Sequence, residues 1–140
     1  MVKISSTSAS RKKALSKKLV KAVKRATKLS YAPYSKIAVG AGLYCTNGKI
    51  YTGVNIENSS YSLTICAERT ALFKAISEGE KNFHLLLVYS PQIDFITPCG
   101  ACLQVLSEFA SDIVVVTMDR KENFKFYPIK ELMTKPFSIR

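Results

Sequence analysis

Residues 65–79 read ICAERTALFKAISEG, and the reading of this stretch decides the fold. Ala67, Ala71, Leu72, Ala75 and Ile76 recur at three- and four-residue steps, which predicts a helix ending at Gly79. The polar loop before it, ENSSYSLT, makes Cys66 the residue that opens the helix. A second loop-to-helix junction has the same character. In TPCGACLQ, residues 97–104, Cys99 and Cys102 start a segment whose Cys102, Val105, Leu106 and Phe109 share a predicted helical face. Between the two junctions, FHLLLVYS (83–90) is almost wholly apolar, the pattern of a central strand covered on both faces.

Outward from this centre the chain alternates. IAVGAGLYCT (37–46), the turn signal NGK, and IYTGVNIE (50–57) predict an antiparallel hairpin. DIVVVTMD (112–119) reads as a second buried strand, NFKFYP (123–128) as a short one and IKELM (129–133) as a terminal helical turn. The order α-β-β-α-β-α-β-β predicts an α/β layered domain with a mixed sheet. No repeat or linker interrupts it, so residues 10–140 are read as one domain and the small, polar residues 1–9 as a disordered tail.

Apolar residues make up 47% of the 140, ordinary for a globular protein, and no run approaches the length of a membrane span. No apolar stretch follows the basic residues near the start, so no secretory signal is read. That points to reduced or metal-bound cysteines and to the cytoplasm. The formal charge of +11 is unevenly placed: residues 1–56 hold twelve Lys/Arg and no acid, whereas residues 57–140 hold nine against ten acids. The excess belongs to SRKKALSKKLVKAVKRATKLS (10–30), where Leu15, Leu19, Ala22, Val23, Ala26 and Leu29 form one stripe and lysines fill the other face. Ser10 is its expected N-cap. The simplest reading is a surface helix with solvated lysines. Nucleic acid is a less favoured partner, and a transit peptide a third reading.

The cysteines carry chemistry. Cys66 at one helix start, with Cys99 and Cys102 at another, can aim three sulfurs at one centre, and three protein ligands suit a catalytic rather than a structural zinc. Positive helix ends and the adjacent Arg69 can offset the excess charge of three thiolates. Glu68 stays on the same first turn as Cys66, close enough to serve a zinc-bound water as proton acceptor and donor. A redox pair at Cys99 and Cys102 explains neither Cys66 nor Glu68. His84 and Cys45, both in apolar strands, are read as structural.

CAERTA together with PCGAC resembles the signature of zinc nucleoside and nucleobase deaminases. The text around them (YAPYSKIAVGAGL, GVNIENSSYSLTICAERTALFKAISEG and PCGACLQVLSEF) is similar to the small three-cysteine cytidine deaminases. That resemblance implies a three-layer α-β-α fold with a mixed five-stranded sheet, one Zn²⁺ per subunit and a homotetramer. It implies hydrolysis of cytidine and deoxycytidine to uridine and deoxyuridine with release of ammonia. A modified cytidine, a cytosine antibiotic or a nucleic-acid cytosine remains open as substrate. By the same resemblance Cys66, Cys99 and Cys102 match the zinc ligands and Glu68 the proton shuttle. Asn55 and Glu57 match a ribose-binding pair, with Ile56, Asn58, Ser59, Ser60 and Tyr61 completing that loop. Ala67 offers its backbone to the pyrimidine, and Phe137 matches an aromatic inserted against the base of a neighbouring subunit.

Three positions depart from the pattern. Ile37 stands where a phenylalanine is usual, which implies weaker stacking on the base, and Ala38 replaces a proline. Leu103 stands where an arginine commonly follows the last cysteine, which leaves Arg69 and Gln104 as the expected sources of zinc-site electrostatics.

Overall fold

A computed structural model describes residues 15–140. Helix α1 (Lys17–Thr27) is followed by strands β1 (Gly40–Cys45) and β2 (Ile50–Val54), then α2 (Ala67–Ser77) and β3 (Phe83–Tyr89). Helix α3 (Gly100–Phe109), strands β4 (Val114–Met118) and β5 (Phe124–Pro128) and the short α4 (Ile129–Leu132) complete the chain. The sheet has five strands in the order β2-β1-β3-β4-β5. Only the β3–β4 pair is parallel, joined through α3, so the sheet is mixed as expected.

Alternation along the strands builds two cores, one on each face. Leu86 and Val88 of β3 and Val115 of β4 pack with Ala41 and Leu43 under α2 and α3. Leu85, Leu87 and Tyr89 face the other way and, with Val116 and Met118, pack against Leu19, Val20 and Val23 of α1. The layering is therefore α-β-α, with the two cysteine-bearing helices on one face and the basic helix alone on the other.

Two close approaches fix these layers. A Cβ at Gly42 would stand 2.4 Å from Val23 Cγ2 and 2.7 Å from Leu19 Cδ1, so α1 sits directly on β1. A Cβ at Gly53 would stand 2.4 Å from the Ala71 nitrogen and 2.5 Å from the Ala67 oxygen, so the first turns of α2 ride on bare β2 backbone.

Local readings shift in three places. Helix α1 begins at Lys17, with the Ser16 hydroxyl accepting from the Leu19 N–H at 3.2 Å, and Ser10 lies outside the described residues. Its buried stripe is Leu19, Val20, Val23 and Thr27, while Leu29 falls beyond the helix end and is 78% exposed. In α3 the buried face is Cys102, Leu103 and Leu106, whereas Phe109 is exposed, because the helix docks with Leu103 and Leu106 in the core shared with the sheet. The disordered tail read at residues 1–9 also lies outside the described residues.

Candidate active site

Both cysteine junctions behave as helix starts. Cys66 occupies the N-cap position of α2 and Cys99 that of α3, both with extended backbone, and Cys102 lies in the first turn of α3. The loop that delivers Cys66 is closed by Ile56 and Ile65, whose backbones exchange hydrogen bonds of 2.9 and 3.0 Å. Asn58 and Thr64 brace it internally: the Asn58 N–H donates to Thr64 Oγ1 at 3.2 Å, and Asn58 Oδ1 accepts from the Ser60 N–H at 2.8 Å.

The sulfurs of Cys66, Cys99 and Cys102 all lie within 4.8 Å of one another. Cys66 and Cys99 are 3.8 Å apart, and Cys99 and Cys102 are 3.6 Å apart. Zinc–sulfur bonds of about 2.3 Å in a tetrahedron place neighbouring sulfurs about 3.8 Å apart, so this donor set fits a zinc ion. The thiols are free, and Cys102 is fully buried while Cys99 faces solvent, which leaves one side of the cluster open for water or substrate.

Electrostatics around the cluster favour thiolate at Cys66. The Cys66 thiol is held well below its ordinary value by the neighbouring Cys102 thiol and then by Arg69, whose Nη2 donates to Cys66 Sγ at 3.4 Å. Cys102 is shifted upward, first by Cys66 and then by burial. Glu68 is only 4% exposed and its carboxyl abuts Cys102. Burial pushes this carboxyl up to about 7, so its proton is exchangeable near neutrality, as an acid–base group requires.

The remaining predicted residues divide. Asn55 is nearly buried, and its amide braces the chain: Nδ2 donates to the Ile37 carbonyl at 2.8 Å, and Oδ1 accepts from the Val39 N–H at 2.9 Å and from the Ser30 hydroxyl. Glu57 accepts from the Tyr34 and Ser35 N–H groups at 3.0 and 3.1 Å and from the Ser35 hydroxyl. These bonds, led by that of the hydroxyl, hold its carboxyl below the usual range. Glu57 and Tyr61 line a hollow of about 360 Å³ together with Tyr34, Ser35 and Thr64. Tyr34, Ser35 and Thr64 had no chemical signature in the sequence and are found only by this convergence.

Ile37 is half-buried against the α2–α3 core, and Ala67 is fully buried at the start of α2. Ser59 and Ser60 are exposed on the loop. Gln104 serves differently from expectation. Its Nε2 donates to the Phe137 carbonyl at 2.9 Å and its Oε1 accepts from the Phe137 N–H at 3.0 Å, so it clamps the C-terminal segment. Arg69 is thus the side chain that contacts the thiolates, while Phe137 is presented 74% exposed. Cys45 is fully buried, with its thiol pushed up to about 11 by burial, and His84 packs edge-on against Tyr44; both are structural.

Three thiols at two helix starts, with a buried carboxylate against them, define a three-cysteine zinc enzyme of hydrolytic type. Comparison with known proteins narrows the class. The model of the cytidine and deoxycytidylate deaminase zinc-binding region matches residues 13–118. A cytidine deaminase of Sporosarcina psychrophila is 43% identical over 122 residues, covering 86% of this chain and 90% of its own. A probable cytidine deaminase of Dictyostelium discoideum is 50% identical over 109 residues, covering 77% of this chain and 74% of its own. The crystal structure of cytidine deaminase from Burkholderia pseudomallei superposes with a TM-score of 0.81 at 38% identity, over 86% of this chain and 97% of the other. The chain belongs to the cytidine and deoxycytidylate deaminase family.

Proposed function

We propose that this protein hydrolyses the exocyclic C–N bond of cytidine and deoxycytidine, consuming one water and releasing ammonia with uridine or deoxyuridine. The observation that carries this reading is the buried Glu68 carboxyl lying against a cluster of three sulfurs within 4.8 Å. Cys66, Cys99 and Cys102 hold the zinc ion, which supplies the Lewis acidity that makes water a competent nucleophile near neutral pH. Glu68 takes one proton from the attacking water and passes it to the ring N3; it then takes the remaining proton of the hydroxyl added at C4 and gives it to the departing amino group. Arg69 lowers the negative charge that the thiolates present to that water.

Glu57 and Tyr61 border the hollow that receives the ribose, and Asn55 fixes the 37–39 backbone beside it. A polar wall of this kind rejects ligands lacking the matching hydroxyl far better than apolar contacts do. Ala67, at the start of α2, and Ile37 border the base. The exposed Phe137 completes the base pocket of a neighbouring copy, so the active unit holds more than one chain, and we take it to be a homotetramer; residues 10–140 act as one domain, in the cytoplasm.

Loss of cytidine absorbance with stoichiometric ammonia tests the reading. Glu68→Gln is expected to keep one zinc per chain and lose about 10²–10⁴-fold in kcat. A zinc-loaded parent that turns over neither nucleoside refutes it.

A further inference from the structure

Helix α1 carries charges that its own stability does not call for. Lys17 and Lys18 occupy its first two positions, where the helix dipole favours acids, and its first turn has none. Lys17–Lys21, Lys21–Arg25 and Lys24–Lys28 are like-charged pairs four residues apart, each unfavourable on an isolated helix. Among the described residues, Lys24 alone of these six cations has an acidic partner, Glu122 at 3.0 Å. All but the half-buried Lys24 are exposed. Lys17, Lys21, Lys24, Arg25 and Lys28 also line a groove of about 780 Å³ between α1 and β5, in which Glu122 is the one acid.

A local rule broken this consistently, with the Lys24–Glu122 pair as the one compensating ion pair among the described residues, marks a surface shaped for something other than folding. We propose that α1 is a docking surface for the phosphate backbone of nucleic acid. Charge complementarity selects a polyanion. The apolar face of α1 argues against a membrane, because Leu19, Val20 and Val23 are already buried against the sheet and none is left to enter lipid. Of the aromatic side chains, the groove offers only the half-buried Phe124, so binding rests on phosphates and is indifferent to sequence.

The sheet lies between this surface and the zinc-site helices. Bound nucleic acid therefore tethers the protein without entering its active site, and the proposal is independent of the substrate reading.

The test uses fluorescence anisotropy of the full chain with a 20-nucleotide single-stranded RNA and a 20-base-pair RNA duplex across 50–200 mM salt. Vesicles containing phosphatidylserine form a parallel arm. Neutralising Lys17, Lys21, Arg25 and Lys28 together (each →Gln) is expected to weaken RNA binding at least tenfold at about 50 mM salt and to flatten the log K against log salt slope by about 3. Zinc content and kcat/KM for cytidine should stay at parental values and the melting temperature should hold or rise as the like-charge pairs are removed, which separates lost docking from lost fold. The proposal fails if neither RNA binds at low salt, if vesicles bind better than RNA, or if the four substitutions leave affinity and slope unchanged. It also fails if the whole effect moves instead with Lys3, Arg11, Lys12 and Lys13 changed to glutamine.

Discussion

Glu57 stands at the rim of the hollow with its carboxylate filled by three donors, the Ser35 hydroxyl and the Ser35 and Tyr34 N–H groups. Its folded-state pKa is depressed, so the stabilisation it provides is fully present above the ordinary carboxylate value near 4.5 and is lost as pH falls through the lower folded value. Melting curves of the parent and Glu57→Gln should therefore differ most at neutral pH and converge in acid. A constant difference across that window would mean the carboxylate is not held by these bonds. Ile37 gives a second prediction at this scale. Replacing it with phenylalanine adds a ring beside the base and should lower KM for cytidine several-fold with kcat little changed; an unchanged KM removes residue 37 from the pocket. Both residues show what sequence can and cannot disclose. The zinc ligands were legible because a third cysteine at a second helix start, with a glutamate two residues on, fits a metal site and is left unexplained by a two-thiol redox pair. The Asn55 and Glu57 contacts were not, because an amide or carboxylate finds its partners only when distant backbone folds against it.

At the scale of the element, α2 matters because Cys66 caps it and Glu68 lies in its first turn. That turn is seated on β2 at Gly53, where a Cβ would meet main-chain atoms that cannot swing aside. Gly53→Ala should lift the helix start, cost about 1–3 kcal/mol of stability and weaken zinc retention against a chelator. Gly42→Ala, which meets side chains of α1, should destabilise without loosening zinc. Equal zinc loss in both would break the link between β2 and the metal. Strand and helix order was readable because each buried segment had an unambiguous period. The facing of α1 and α3 was not, since each has apolar residues on more than one side and the side turned inward is chosen by how the helix docks on the sheet. Leu103 illustrates this: it was left off the predicted face of Cys102, Val105, Leu106 and Phe109, and it is buried in the core.

Over the whole molecule, the C-terminal segment returns to the zinc helix. Gln104 grips both backbone groups of Phe137, and Arg140 pairs with Glu108 one turn further along α3 at 2.9 Å. The strap so formed presents Phe137 and Ile139 to the exterior, 74% and 89% exposed, as the apolar edge that the proposed assembly would cover. Gln104→Ala should raise KM several-fold while zinc content holds and kcat changes little, and should weaken assembly measured by light scattering. Gln104→Glu, which keeps the acceptor but not the donor, should fall between. Parental KM and mass in both variants would show that the strap holds without the amide.

The seating of α1 on Gly42 bears on how this chain can change over time. The eleven residues of α1, five of them basic, are also the cover over Leu85, Leu87, Val116 and Met118. Their outward side chains can be exchanged one at a time, and the surface can gain or shed its charge without disturbing the interior. The segment as a whole cannot be trimmed away, because half of the sheet would then lie bare to water.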